Sequence, residues 1–517
     1  MTATMTAYDH VAYPGYPIPH AHPGRLAAIA ALHGLDPAPP SCCRVLELGA
    51  GDGGNLIPLA YVLPGATFLG IDLAPTPVER GRQCIAELGL TNVELRCGDA
   101  TNPPTDLASF DYIVVHGLYS WVPPLVRERV LAVARDHLAP NGVVYVSYNT
   151  YPGCHVREMI RGMMRYHTRA MTEPRHRIDQ ARAVVKFVAD GQVAPGAYAA
   201  VLREELNRAA YAEDEALLFH DDLAEVSDPV WFHEFIDHAA HHGLRFLAEA
   251  SYHSSDVGHL PEKARDTLLA LRQADVVQAE QYLDFLTCRR FRRTLLCRQD
   301  VAVRPDADPG RVRGMAACCA ARPEGVPDLA PDVLVTFREP DGDGRMTTDL
   351  PFAKAAVLHL GECYPRGLRF EELLIAASAR VGRAPSDSDR EALAETLLTA
   401  FAGGMAELLV DPLQFAREAG PRPEASAIAR RQVRAGDQML TNLRHERVKV
   451  DRPVARQLLL LMDGTRDFTA LTDELTKWAA SQPAVLAPAT AVQIGPELEA
   501  LARLALINET TNNLPRR

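Results

Sequence analysis

Between residues 44 and 149 short apolar runs recur at regular intervals: RVLELGA, TFLGIDL, VELRCGDA, FDYIVVHG and GVVYVSYN. The segments between them carry their apolar residues at helical spacing. Strands alternating with helices predict an α/β fold built on a parallel, doubly wound sheet. Residues 155–215 break the alternation, being charged and helical with no strand candidate. WFHEFIDHAAHHGLRFLAEASY (231–252) then reads as a helix stopped at Gly243 and followed by a strand, and FRRTLLCRQ (291–299) reads as another strand. These two are expected to close the same sheet as a final hairpin, leaving 155–215 as a helical insertion, or lid, over the site.

The pattern divides the chain into an N-terminal arm (1–40), a core (41–154), the insertion (155–215), a segment completing the sheet (216–300), a linker (301–332) and a mostly helical remainder (333–517). The arm, with YPGYPIPHAHP at 13–23, is too rich in proline for regular structure and is expected to run extended over its 40 residues. The linker expectation rests on PDADPG and ARPEGVPDLAP. The remainder reads as a degenerate duplication. Each copy has a strand, two helices with a turn between them, and a final apolar helix, the layout of a winged-helix-like pair. DVLVTFRE opens the first copy and TNLRHERVKV the second.

Composition narrows the possibilities. At 517 residues, 47% hydrophobic and 23% charged, the chain suits a globular protein of several domains. A net charge of −12 argues against nucleic acid as the partner. The opening MTATMTAYDH has neither the basic nor the apolar region of a signal peptide, and no apolar run reaches the length of a membrane span. Ten cysteines without a C-x-x-C pair fit reduced thiols and a cytoplasmic location. Only five of the 54 basic residues are lysines (186, 263, 354, 449 and 477), which fits a GC-rich genome and would also spare a lysine-modifying enzyme its own action.

The chemistry concentrates at the strand ends. ELGAGDGG (47–54) follows the first strand, and glycines 49, 51 and 53 let the backbone turn tightly against a cofactor. The stretch also fits G-x-G-x-x-G, so alone it does not separate a nicotinamide site from an S-adenosylmethionine (SAM) site. Glu47 suits the cofactor's amino group and Asp72 the ribose hydroxyls, which serve either cofactor, and Asp99 at the third strand end, placed for the adenine amine, tips the reading to SAM, with Leu73 and Ala100 beside these acids. The fourth strand ends in HGLYSWVPP, which places His116, Tyr119, Ser120 and Trp121 where a methyl acceptor would meet the sulfonium. The fifth ends in SYNTYPGCH, where Asn149 and Tyr151 are candidates to orient an amine. Catalytic candidates are therefore His116, Tyr119, Trp121 and Asn149. No metal is expected, because His238 follows His233-Glu234 at the wrong spacing for two ligands on one helix face.

Taken together, VLELGAGDGGNLIPLA, PGATFLGIDLA, HGLYSWVPP and VSYNTYPGCH resemble the bacterial class I SAM-dependent methyltransferases that carry a methyltransferase regulatory domain. FHDDLAEVSDPVWFHEFIDHAAHHGLRFLAEA and EQYLDFLTCRRFRRTLLCR are similar to that regulatory domain, and TNLRHERVKVDRPVARQLLLLMDGTRD to the family's C-terminal domain. The resemblance implies a Rossmann-like class I methyltransferase fold, SAM bound through Glu47, Gly49, Gly51, Asp72 and Asp99, and a protein substrate methylated on lysine, as in family members that act on outer-membrane proteins. Two positions depart from pattern: Cys154 stands where a tryptophan is expected in P-G-W-H, and HGLY replaces the N-P-P-Y strand end of many amine methyltransferases. Two other functions are open at this level, a methyltransferase of small molecules or peptides and a SAM-sensing scaffold without turnover. The sequence leaves the oligomeric state open.

Overall fold

The computed structural model describes residues 13, 15–103, 107–192, 194–210, 215–340, 342, 344–481 and 494–509. Residues 1–12 and 14 of the expected arm, 193 and 211–214 of the expected insertion, and 482–493 and 510–517 of the C-terminal unit lie outside the described residues.

A seven-stranded sheet forms the centre, from β1 (Arg44–Leu48), β2 (Thr67–Asp72), β3 (Val93–Cys97), β4 (Phe110–Val115), β5 (Leu138–Asn149), β6 (Leu244–Glu249) and β7 (Phe291–Arg298), in the order β3-β2-β1-β4-β5-β7-β6. The first five strands are mutually parallel, and β7 runs antiparallel to both β5 and β6. Helices α1 (Pro23–Leu32), α2 (Leu56–Val62), α3 (Pro75–Leu88) and α4 (Pro124–His137) accompany the parallel half. Because the strands are covered on both faces they are apolar almost throughout. Val45, Tyr112, Val143 and Tyr145 pack into one core with α1 and α2, while Leu46, Ile113, Val144 and Tyr148 pack into the other. The strands of 244–249 and 291–298 thus extend this sheet, as the alternation of 231–299 implies.

Between β5 and β6 lie α5 (Cys154–Thr168), α6 (Pro174–Asp190), α7 (Ala197–Ala210) and α8 (Phe232–His241). The first three share a small core through Ile160, Met164, Ile178, Val185 and Leu202. Helices α9 (Glu262–Ala274) and α10 (Val276–Thr287) separate β6 from β7.

Two expectations about irregular segments fail. The arm holds a regular helix, α1: Pro23 sits at its first turn, where the missing N–H is harmless, and the Ala- and Leu-rich run behind it propagates the helix. The linker is part of a core. Its β8 (Ala316–Cys318) is buried and forms the middle strand of a sheet with β12 (Leu368–Arg369) and β13 (Glu407–Leu409), while β9 (Arg322–Pro323) pairs with β10 (Val335–Arg338), itself paired with β11 (Arg345–Thr348). The prolines and glycines of 301–332 obscured the apolar run MAACCA.

Helices α11 (Pro351–Cys363), α12 (Phe370–Val381) and α13 (Asp387–Ala402) pack on those strands. The expected last helix of this unit ends at Ala402, and its tail becomes β13. The final unit comprises α14 (Ala427–Ala435), the hairpin β14 (Met439–Thr441) and β15 (Arg447–Lys449), α15 (Pro453–Leu461), α16 (Phe468–Ala480) and α17 (Ile494–Arg503).

One buried charge ties β7 in place. Arg292 is 1% exposed. Its guanidinium donates to Asp284 at 2.8 and 2.9 Å, to Glu249 at 2.7 Å and to Glu280 at 3.2 Å, and it lies 3.8 Å from the centre of the Phe232 ring. Removing one partner of such a buried network leaves the others unanswered in a medium that solvates them poorly. Arg292→Ala is expected to cost about 3–5 kcal/mol of unfolding free energy by urea titration. Arg265→Ala, at a half-exposed position of α9, should stay within about 0.5 kcal/mol of wild type.

Candidate active site

A cavity of about 990 Å³ opens at the carboxyl edge of the parallel strands. Glu47, Asp72 and Asn149 stand at the ends of β1, β2 and β5. Since β7 is antiparallel to β5, its amino end reaches the same edge, with Phe291 opposite Asn149 and Arg293 opposite Ser147. Strand alternation then sends Phe291 and Arg293 to the cavity and Arg292 to the opposite face.

The glycine turn supplies one wall. Gly49 and Gly51 have φ of 79° and 55°, a region costly for residues with a Cβ. Asp72 accepts from the Gly51 N–H and the Ala74 N–H, each at 2.8 Å, so the second strand end holds the turn in shape. Glu47 is 3% exposed and accepts from Asn55 Nδ2 at 3.2 Å. Burial pushes its carboxyl up to about 8, against the opposing effect of the Asn55 hydrogen bond. Asp99 accepts from the Thr101 N–H and Oγ1, each at 2.8 Å.

The other wall mixes neutral rings with arginines. His116 Nδ1 lies 3.0 Å from the Tyr145 hydroxyl, and the His116 ring meets Phe291 edge to face at 6.3 Å. Burial, with Arg293 and His20 nearby, pushes its imidazole down to about 3. Burial likewise holds His20 at about 4. Arg157, Arg208, Arg290 and Arg293 line the cavity with Glu205, Asp221 and Asp222. Glu205 pairs with Arg290 at 2.5 Å, and Arg157 with Asp222 at 2.8 Å. Burial raises Asp221 to about 6. Asn149 is 4% exposed, and its Nδ2 has no hydrogen-bond partner among the described residues.

Ten of the twelve sequence-derived candidates line this cavity: Glu47, Gly49, Gly51, Asp72, Leu73, Asp99, Ala100, His116, Trp121 and Asn149. Tyr119 and Gly53 do not. The chain after β4 coils into a single 3₁₀ turn over Tyr119–Trp121, which puts Trp121 on the cavity side and Tyr119 on the other. Tyr119 is buried against Tyr148 and Phe235, with its hydroxyl 2.7 Å from His238 Nδ1. Gly53 faces Leu95 and Ile57. Ser120 Oγ accepts from the Asn149 N–H at 2.8 Å, and Tyr151 stacks on His155, so neither contacts the cavity. Cys154 is buried, its thiol donating to the Arg290 carbonyl at 3.1 Å. On the far side, Glu128 lies 2.8 Å from His242 Nε2 and 3.2 Å from His238 Nε2. These three residues bring metal-ligating atoms within 4.8 Å of one another, a grouping that the spacing of His233 and His238 does not reveal.

Sequence reasoning missed Phe291, Arg293, His20 and Asn55, all lining the cavity. The signal for the first two was the alternation of FRRTLLCRQ once that strand is paired to β5.

Three family models match the chain: "Methyltransferase domain" over residues 45–142, "Predicted methyltransferase regulatory domain" over 214–298, and "PKMT, C-terminal winged helix domain" over 421–510. An uncharacterised protein of Rickettsia prowazekii, RP789, is 31% identical over 92% of this chain and 86% of its own length. A second, RP028, is 34% identical over 47% of this chain and 96% of its own. The chain belongs to the class I SAM-dependent methyltransferases with a regulatory domain. The structure of PKMT2 from Rickettsia typhi in complex with AdoHcy superposes on this methyltransferase with a TM-score of 0.85, at 27% identity, covering 96% of this chain and 99% of that one. No helix among the described residues of the methyltransferase is long and apolar enough to cross a membrane.

The cavity fits the cofactor of that class. Its buried carboxylate at Glu47 answers an ammonium, and the positive-φ glycine turn leaves open space at Gly51, where a Cβ would meet nothing within 4 Å. The raised Glu47 carboxyl also costs the ligand-free fold stability. Between pH 4.5 and about 8 the folded chain keeps a proton that the unfolded chain has released, so this group's contribution falls as pH rises through that window and levels off above it. Glu47→Gln lacks this dependence. Its thermal midpoint without ligand is expected to gain on wild type progressively from about pH 5 to pH 8, while its affinity for AdoHcy falls. A constant gap across that range would contradict the assignment.

Proposed function

We propose that this methyltransferase transfers a methyl group to lysine side chains of a protein substrate. The observation that carries the reading is Asn149: a buried amide whose Nδ2 has no partner among the described residues, paired across strands with Phe291 and sharing the cavity with the neutral His116, at the strand ends where an acceptor would stand. A buried amide left without a partner in the free protein costs stability, which points to a partner supplied by substrate.

Glu47 would hold the amino group of SAM, Asp72 the ribose hydroxyls and Asp99 the adenine amine, with Gly49, Gly51, Leu73 and Ala100 shaping the wall around them. When bound, SAM supplies an electrophilic methyl on a sulfonium. The chain's own contribution is alignment and control of the acceptor's proton. A lysine must arrive as a free amine, and Arg293 with two neutral imidazoles makes that side of the cavity unfavourable to an ammonium, the charges of Arg157, Arg208 and Arg290 being answered by Asp221, Asp222 and Glu205. Asp221, raised to about 6, is suited to take the departing proton near neutral pH. His116 and Asn149 then orient the amine, with Trp121 and Phe291 excluding water. The Trp121 ring already has Arg157 at 5.8 Å, an example of the cation contact it offers.

The lid of α5–α7 contributes Ile160 and Met164 to the cavity, so it borders the acceptor route. All ten cysteines are unpaired, which fits a reducing, cytoplasmic setting.

Asn149→Ala and His116→Ala are each expected to lower kcat by about 10²-fold through misalignment. Tyr119→Phe should leave turnover near wild type, its hydroxyl being spent on His238. Methyl-tritiated SAM incubated with a lysate gives the direct test, with Asp72→Ala plus Asp99→Ala as control. Label hydrolysing to methyl-lysine in discrete protein bands is the expected result. Label confined to small molecules would overturn the substrate class, and no label at all would favour a SAM-sensing scaffold.

A further inference from the structure

The tip of the C-terminal hairpin does not face solvent. β14 and β15 reverse through Asn442–Glu446, where Asn442 Oδ1 accepts the N–H groups of Arg444 and Glu446, each at 2.9 Å. Arg444 is 4% exposed, and donates to the Pro365 carbonyl at 2.8 Å and to Glu407 at 2.7 Å, anchoring the turn to the preceding unit. His445, at the apex, has φ of 62° and is 1% exposed. A side chain held in the left-handed region is kept there only when its surroundings over-determine it.

What holds it is Asn55, on the cavity wall. His445 Nε2 lies 2.7 Å from Asn55 Oδ1. The direction of that bond follows from the neighbours. The Ile18 N–H donates to the same oxygen at 3.0 Å, so Oδ1 is the acceptor and His445 must donate from Nε2. Burial keeps the imidazole neutral, which leaves it one donor, spent here. With its oxygen fixed, Asn55 turns Nδ2 onto Glu47 Oε2 at 3.2 Å. Asn55 is also the N-cap of α2, where an asparagine ordinarily accepts from its own helix, yet its side chain makes no capping bond. The amide is committed to joining the hairpin tip, the N-terminal arm and Glu47.

We propose that His445 is a positioning residue for the cofactor: the hairpin tip fixes the Asn55 amide, Asn55 fixes Glu47, and the C-terminal winged-helix unit completes the cofactor site in cis. The proposal rests on the reading of Glu47 as the carboxylate for the cofactor's amino group. Other contacts give the unit a fixed seat. Arg447 lies 5.0 Å from the ring centre of Tyr16 on the arm, Arg431 pairs with Glu87 of α3 at 2.7 Å, and the Tyr61 hydroxyl of α2 accepts from Asn508 at 3.1 Å.

The test is calorimetric titration of AdoHcy into the full-length protein. His445→Ala is expected to bind about 10-fold more weakly, the effect of one lost buried hydrogen bond. His445→Gln, which keeps an N–H donor of similar reach, should recover most of the loss. Asn55→Ala should show a similar deficit, and the double variant should be no weaker than Asn55→Ala alone, because both changes break one relay. Asn55→Asp keeps the acceptor for His445 but sets a second carboxylate against Glu47, and should lose more than His445→Ala. It also provides the test should Asn55→Ala fail to fold. In turnover, His445→Ala should raise KM for SAM and leave kcat at saturating SAM within about 2-fold. Wild-type affinity in His445→Ala, or deficits that multiply in the double variant, would overturn the relay. Wild-type affinity in Glu47→Gln would overturn the reading of Glu47 beneath it.

Discussion

A guanidinium that reaches no water must be answered by carboxylates, and the geometry of that answer at Arg292 governs much of this molecule. Glu249 comes from β6, Glu280 and Asp284 from α10, and Arg292 itself from β7. The cluster therefore locks two antiparallel strands and a helix to the edge of a parallel sheet. A one-residue slip of β7 would bury Phe291 or Arg293 among those acids and turn Arg292 toward the cavity. Because the buried charge forbids the slip, Phe291 and Arg293 face His116. The segment matched as a regulatory domain is in this sense half scaffold: its strands complete the sheet, and one of them supplies a wall of the active site.

That wall resolves a conflict within the cavity. The proposed chemistry has to treat two amines in opposite ways, holding the cofactor's amino group as an ammonium and bringing the acceptor in without its proton. A uniform electrostatic environment would serve only one of these. In the proposed reading the two are separated, with a buried carboxylate at Glu47 on the glycine-turn side and Arg293, neutral His116 and neutral His20 on the other. Burial raises the carboxyl and lowers the imidazoles in the free protein, and shifts of this kind cluster at functional sites.

How much of this the sequence reveals depends on how local the signal is. The places of Glu47, Gly49, Gly51, Asp72 and Asp99 on the cavity wall are legible because strand ends in a parallel sheet converge on one edge, and each residue lies at or just past the end of an apolar run. His116, Trp121 and Asn149 are legible for the same reason. Tyr119 is misread because a single 3₁₀ turn rotates the chain by more than the residue count suggests, sending neighbouring side chains to opposite sides. Helix α1 and strand β8 are missed because proline and glycine density was weighed over the apolar runs beside them, although Pro23 is a favourable helix start. Phe291 and Arg293 stand roughly 175 residues beyond His116, and only the antiparallel pairing of β7 with β5 brings them together.

Asn55 is least legible of all, since its partners come from Ile18, Glu47 and His445, and nothing near residue 55 announces them. Yet through this one amide a helical unit nearly 400 residues away in sequence reaches the cavity wall. Here the hairpin's turn carries a buried arginine, a buried histidine in a left-handed conformation and a hydrogen bond into the cofactor wall. Those features are costly on a surface meant for an external ligand and make sense on one whose partner is the catalytic domain itself. The arm that lines the cavity is tied at Ile18 to the same amide, so the contact that seats the hairpin also holds the arm in register.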